Sequence, residues 1–368
     1  MDNQIVTLSD ISVGGKGSYG IAASAVPFSD NLFTYLRITD INDDGTLNLQ
    51  DLKSVDDDRA KDYLLAPNDI VFARTGASTG RNYFYDGTDG EFVYAGFLIK
   101  FSIDSKKVNP KYIKYYCQSK QYKDWINSFN TGSTRGNINA QTLGKMPIPL
   151  INRNQQDALV SILSSIDEKI RSNTEINCNL QNQAQAIYQN MFSSSELPKG
   201  TLSELITVKY GKDHKKLNDG HYPVYGSGGI MRYVEKPLYD KESVLIPRKG
   251  SLNNVMYVNE PFWSVDTMFY TEMKVQNVAK YVFHFLKNSD LVSLNAGSAV
   301  PSMTTDILNR MVIKIPSSNQ LAEFETLVSP LYQSFDSNKK QSASLASLRD
   351  TLLPKLMTGE IDVSKVEL

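Results

Sequence analysis

The residues of this sequence best equipped for chemistry lie in loops that mix arginine, glycine, hydroxyls and amides. Arg74-Thr-Gly-Ala-Ser-Thr-Gly-Arg81 supplies Arg74, Thr75, Ser78, Thr79 and Arg81. Arg248-Lys-Gly-Ser-Leu-Asn-Asn254 supplies Arg248, Lys249, Ser251, Asn253 and Asn254. Glycine lets a backbone approach closely, hydroxyls and amides bond phosphate or base edges, and arginine can grip guanine through two parallel hydrogen bonds in the major groove. The same mixture recurs in Thr131-Gly-Ser-Thr-Arg-Gly-Asn137, with Thr134, Arg135 and Asn137, and in Lys212-Asp-His-Lys-Lys216, with Lys212, His214, Lys215 and Lys216. Lys16, Ser18 and Tyr19 in Gly15-Lys-Gly-Ser-Tyr-Gly20, and the cation Arg232, complete the set. Any one of these loops, taken alone, reads as an ordinary solvated turn. Their recurrence at matching positions of a repeat points to a nucleic-acid surface.

Signs of catalysis are missing. Gly15 to Gly20 satisfies the spacing G-x-G-x-x-G, but Ile21-Ala-Ala-Ser-Ala-Val-Pro27 runs into a proline where a dinucleotide fold needs a helix. There is no G-x-x-x-x-G-K-[ST] loop and no Asp/Asn-Pro-Pro-aromatic tetrapeptide of the kind amino-methyltransferases use. Three histidines, His214, His221 and His284, leave little room for a Ser/His or Cys/His nucleophile or a zinc site. Asp56-Asp-Asp58 sits in a polar stretch and reads as a solvated face. The chain is expected to be non-catalytic, without metal or cofactor of its own.

Composition sets the outer bounds. With 368 residues, 41% hydrophobic and 21% charged, the chain is long enough for two or three ordered domains. Cys117 and Cys178 stand far apart, so no disulfide framework exists and a reducing compartment is expected. The N-terminus lacks the basic and apolar regions of a signal peptide, and no apolar run approaches 18 residues. The expectation is a cytoplasmic protein. The net charge of −1 argues against coating nucleic acid by bulk field alone. Charge is segregated, however. Residues 71–140 hold ten Lys and Arg against five Asp and Glu, residues 1–70 five against twelve, and residues 199–250 ten against six. A phosphate-facing side needs such segregation.

The architecture follows from an internal repeat. Residues 130–166 fall on residues 295–331 without a gap at a shift of 165, with Leu143/Leu308, Met146/Met311, Ile148/Ile313 and Gln155/Gln320 among the identities. Earlier, Thr7-Leu-Ser-Asp-Ile11 answers Thr201-Leu-Ser-Glu-Leu205, and Phe72-Ala-Arg-Thr-Gly76 answers Ile246-Pro-Arg-Lys-Gly250. Each half opens with short alternating runs that read as strands, such as Asp69-Ile-Val-Phe-Ala-Arg74 and Ser243-Val-Leu-Ile-Pro-Arg248. Helices are predicted over 110–129 and 278–289.

Each half closes on a long helix. Leu159, Leu163, Ile166, Ile170 and Asn173 begin one seam, and Phe324, Val328, Leu331, Phe335 and Asn338 the other, in steps of three and four. Two such helices should pair as a coiled coil. Asn173 and Asn338 share one seam position, either as buried amides that fix register or as solvated residues of a frayed stretch. Asn154 and Asn319 sit where helix caps belong, and Gly359 reads as a C-terminal stop. Pro330 and Pro354 should kink or break the second helix. The expected fold is α+β: globular domains at 1–152 and 195–317, separated by long antiparallel coiled-coil helices at 153–194 and 318–368, with a pseudo-twofold repeat.

This order resembles the specificity subunit of type I restriction–modification systems. Tyr35-Leu-Arg-Ile-Thr-Asp-Ile41, Tyr222-Pro-Val-Tyr-Gly-Ser227, Ile246-Pro-Arg-Lys-Gly-Ser251, Phe262-Trp-Ser-Val-Asp-Thr267 and Leu352-Leu-Pro-Lys-Leu-Met-Thr-Gly-Glu-Ile361 carry the resemblance, which covers essentially the whole chain. It implies a non-catalytic reader of double-stranded DNA. Each globular target-recognition domain would read half of an interrupted site, with the helices setting the gap. Two modification (methyltransferase) subunits would dock on the helices and carry S-adenosylmethionine, and restriction subunits would bring ATP and Mg. No membrane is implied. Rival readings are the specificity subunit of a related, type IIB-like system and a coiled-coil scaffold that binds only protein; a stand-alone methyltransferase is disfavoured by the missing cofactor motif.

Overall fold

The computed structural model describes residues 4–49, 51–129, 137–193, 196–294, 301–358 and 360–361. The chain forms two compact units, residues 1–171 with 341–368 and residues 172–340. Both unit boundaries fall inside long helices, Arg153–Phe192 and Ser318–Thr358. Each unit therefore combines one β-rich domain with part of each helix.

The same sheet is built twice. In the first unit the strand Asp69–Ala73 lies between Leu98–Ser102 and Asn82–Tyr85, with Ser18–Tyr19 on the far side of Leu98–Ser102. In the second, Ser243–Pro247 lies between Met268–Met273 and Met256–Val258, with Ile206–Tyr210 beyond. All these pairs are antiparallel. Asp69–Ala73 and Ser243–Pro247 are buried along their whole length, which is why both centre on unbroken apolar runs, Ile-Val-Phe-Ala and Val-Leu-Ile. A second sheet in each unit, of four strands in the first and three in the second, contains one parallel pair, Phe33–Leu36 with Phe92–Tyr94 and Asp219–Gly226 with Trp263–Ser264. The helix predicted over 110–129 is two helices, Pro110–Tyr116 and Lys120–Asn127. Ser119 accepts a hydrogen bond from Tyr122 N and so starts the second one afresh. Ala279–Lys287 stays single.

The long helices run antiparallel within each unit and repeat the same packing. Leu159 and Leu163 share the first core with Leu353, Leu356 and Met357. Phe324 and Val328, which stand 165 residues later, share the second core with Phe192, against which Tyr188 and Met191 pack. In the second unit Asn338 Nδ2 donates to Asn177 Oδ1 at 3.0 Å, Asn177 Nδ2 donates to the Phe335 carbonyl at 3.3 Å, and Asn173 is fully buried beside them.

The helix ends differ from expectation. Asn152 and Ser317, not Asn154 and Asn319, provide the caps: Asn152 Oδ1 accepts from Gln155 N, and Ser317 Oγ from Gln320 N. The Gln320 side chain answers by accepting from Ser317 N at 2.9 Å, a capping box. The second helix runs through Pro330 and Pro354 rather than breaking. The carbonyls that lose a donor belong to Thr326 and Asp350, both exposed residues, while Phe324, Val328, Leu353 and Leu356 keep the apolar side buried. Gly359 lies outside the described residues.

Where domain meets helix, the two units use unlike contacts. In the first unit Asp167 accepts from Lys114 Nζ at 2.9 Å, Tyr115 Oη at 2.9 Å and Arg349 Nη1 at 3.1 Å. In the second, Lys280 is 5% exposed and donates to Glu325 at 2.6 Å and Glu242 at 3.3 Å, over the rings of Tyr257 and Tyr332. A buried ammonium needs its partners, whereas Lys114 keeps 35% of its side chain in solvent. Lys280→Met should therefore cost about 2–4 kcal/mol in denaturant unfolding, because two carboxylates lose their cation. Lys114→Met should cost under about 1 kcal/mol. Equal losses would contradict this division.

Burial raises the pKa of Asp167, but Lys114, Arg349 and Tyr115 together outweigh it and hold the carboxyl below its ordinary value. A depressed carboxylate adds stability above its unfolded pKa, about 3.9, and loses that contribution as pH falls through the lower folded value. Asp167→Asn should cost about 2 kcal/mol at pH 7, and the penalty should shrink steadily below about pH 4. A penalty independent of pH would show that the charge of Asp167 contributes nothing.

Candidate DNA interface

Each unit presents an arginine at the end of its central strand. In the first, Asp69–Ala73 runs directly into Arg74, whose N donates to the Phe97 carbonyl at 3.0 Å and whose carbonyl accepts from Ile138 N at 2.9 Å. In the second, Ser243–Pro247 runs into Arg248, whose N donates to the Thr267 carbonyl at 2.9 Å and whose carbonyl accepts from Met303 N at 2.9 Å. Two backbone bonds thus fix each arginine between a turn and a returning loop. Thr75 bridges Asn137, and Lys249 bridges Ser302, at equivalent places.

Above each arginine lies a tyrosine. The Arg74 guanidinium carbon stands 5.1 Å from the ring centre of Tyr19, and that of Arg248 stands 5.4 Å from the ring centre of Tyr210. Both tyrosines are exposed, at 41% and 54%. They occupy one register of the repeated sheet: Tyr19 pairs Ile99, which pairs Phe72, and Tyr210 pairs Phe269, which pairs Ile246. A glycine follows each. A side chain at Gly20 would meet the carbonyl oxygens of Tyr94 and Ala95, and one at Gly211 those of Val265 and Ser264, so only glycine fits there. Tyr210 was not among the residues expected from sequence. The Tyr-Gly step shared by Tyr19-Gly20 and Tyr210-Gly211 was the available signal.

The tyrosines are held differently. Tyr19 Oη accepts from Ala140 N at 3.1 Å, whereas the Tyr210 ring packs edge-on against Phe269 at 5.1 Å. The arginines also differ. Arg248 Nη1 donates to the Asp266 carbonyl at 3.0 Å, whereas the buried Nε of Arg74 has no hydrogen-bond partner among the described residues. In both, a planar cation rests on an aromatic face, able to offer paired N–H donors to a planar acceptor.

The remaining candidates fall into two groups. Lys16, Ser18, Asn137, Lys212, Lys215, Lys216, Lys249, Ser251 and Asn253 are exposed, and Thr75, Ser78, Thr79 and His214 are half-buried. The loop at Lys212 starts two residues after Tyr210 and is anchored by Trp263 Nε1, which donates to the Lys212 carbonyl at 2.8 Å. Asn254 ties its loop to the turn after the strand Asp219–Gly226 by donating to the Ser227 carbonyl at 2.7 Å. Arg81 and Arg232, by contrast, are already engaged: Arg81 Nε with Asp43 at 2.6 Å, Arg232 Nη2 with Asp219 at 2.7 Å and the Leu217 carbonyl at 3.1 Å. Thr134 and Arg135 lie outside the described residues.

Among the described residues no group of three or more His, Cys, Asp and Glu side chains is placed to hold a metal ion, and no helix is long and apolar enough to cross a membrane.

The chain has relatives among known proteins. It is 23% identical over 303 residues to the type I restriction enzyme MjaIX specificity subunit of Methanocaldococcus jannaschii, spanning 70% of either chain. It is 21% identical over 329 residues to the EcoprrI specificity subunit of Escherichia coli, spanning 81% of either chain. In fold it is similar to the crystal structure of a type I restriction–modification S subunit from Mycoplasma genitalium, with a TM-score of 0.57 at 20% identity over 96% of this chain and 95% of that one. A family model of the type I restriction modification DNA specificity domain matches residues 3–182 and again 195–346. With both halves of the repeat matched, the chain belongs to the type I restriction–modification DNA specificity family.

Proposed function

We propose that this chain is the DNA sequence-recognition subunit of a type I restriction–modification complex, each unit reading one half of a bipartite, interrupted site. The duplicated arginine–tyrosine site at the end of each central strand carries the reading. Two copies of one site, differing in their loop residues, suit two half-sites that differ in sequence. The exposed lysines of the flanking loops supply phosphate contacts.

The chain itself performs no catalysis in this reading. It docks two methyltransferase subunits on the long helices, and restriction subunits join the full complex in the cytoplasm. S-adenosylmethionine, ATP and Mg reside on those partners. The paired helices set the gap between half-sites, with Asn173, Asn177 and Asn338 holding their register. A protein-only scaffold would have no use for stacked arginines at both strand ends.

One engineered series tests the modular picture. Exchanging residues 1–152 for the corresponding domain of another specificity subunit should replace one half-site and keep the other. Inserting seven residues, one heptad, into the long helices should lengthen the gap while both half-sites persist. A change in both half-sites after the exchange, or an unaltered gap after the insertion, would contradict it.

A further inference from the structure

We infer that Arg74 and Arg248 each read a guanine, one in either half-site, and that Tyr19 and Tyr210 are the residues that position them. This rests on the DNA-reading function proposed above and assigns its chemistry to two named pairs.

The acceptor must match a planar fork. Guanine offers O6 and N7 on its major-groove edge, at a spacing that suits two guanidinium N–H groups, and a phosphate offers paired oxygens too. Immobilisation favours the base. Arg74 and Arg248 are half-buried, fixed through backbone bonds on both sides, and laid on a ring 5.1 and 5.4 Å away. The entropy of aiming the side chain is thus spent before DNA arrives, which sharpens discrimination between bases. Phosphate needs no such aim, and the exposed Lys16, Lys212, Lys215, Lys216 and Lys249 are suited to it.

The repeat strengthens the inference. Gly20 N donates to the Leu98 carbonyl as Gly211 N does to that of Met268, and Ile21 N to the Tyr94 carbonyl as Lys212 N does to that of Ser264. The backbone frame that places the tyrosine beside the arginine is therefore kept bond for bond. Around it the loops differ, Thr-Gly-Ala-Ser-Thr after Arg74 and Lys-Gly-Ser-Leu-Asn after Arg248. A common contact surrounded by variable ones predicts half-sites that share one base pair and differ at the others. Tyr19 and Tyr210 act through the arginines, holding the guanidinium plane.

The test uses the full chain assembled with its methyltransferase subunits and measures binding to DNA carrying all four bases at each position of both half-sites. The wild-type complex should require one G·C pair in each half. Arg74→Lys, which keeps the charge, should lower preference for that guanine by about tenfold or more in one half-site only, and Arg248→Lys should do the same in the other. Tyr19→Leu should weaken the same preference, Tyr19→Phe should largely retain it, and Tyr19→Leu should add nothing once Arg74→Lys is present. Thermal unfolding of each variant separates loss of reading from loss of fold. A uniform loss of affinity on every sequence, with a salt slope reduced by about one, would reassign the arginines to phosphate and overturn the inference. A half-site with no guanine would overturn it as well. A wild-type complex with no sequence preference would remove the reading function on which it rests.

Discussion

Each unit is organised by a strand that has no solvated face. Asp69–Ala73 and Ser243–Pro247 are buried throughout, so their backbones cannot shift without uncovering the core. The residue that follows is the first free to leave it, and in both units that residue is arginine. The functional side chain thus inherits the rigidity of the core at the point where the chain emerges, which is where a reading element gains most from being pre-positioned. The edge strand, one strand beyond, adds a tyrosine in fixed register, and a glycine after it lets the chain pass close to carbonyls that a side chain would strike.

The long helices bring a different economy. Their seams repeat the same positions in each unit, yet the joints with the β-rich domains are chemically unlike. The first uses a carboxylate, Asp167, gathering three donors from two helices; the second uses a buried ammonium, Lys280, gathering two carboxylates and two aromatic faces. The repeat keeps the helix seams, while these two joints rest on lysines at different positions, Lys114 and Lys280, each with its charge compensated.

Much of this was legible in the residues themselves. The duplication, the two helices, the central strands and the arginine loops all announce themselves through periodicity or through identities at a constant shift. What escaped depends on contacts between distant segments or on competition between local signals. Asn152 and Ser317 took the caps because each lies just ahead of the first turn, and nothing in sequence ranks them above Asn154 and Asn319. Pro330 was outweighed by the buried side of its helix. Ser119 started a new helix within an apparently continuous pattern. Arg81 and Arg232 found Asp43 and Asp219, partners 38 and 13 residues away that no loop composition predicts. Tyr210 was hidden because a lone tyrosine in a strand reads as packing until the fold sets it against Arg248.

The central claim is that this chain, and not its partners, chooses the DNA sequence. The most direct measurement is a map of methylated positions in host DNA with the neighbouring methyltransferase expressed, in the presence and absence of this chain. The account predicts a single interrupted motif with two dissimilar half-sites, present only when the chain is. Methylation that persists unchanged without it would contradict the account.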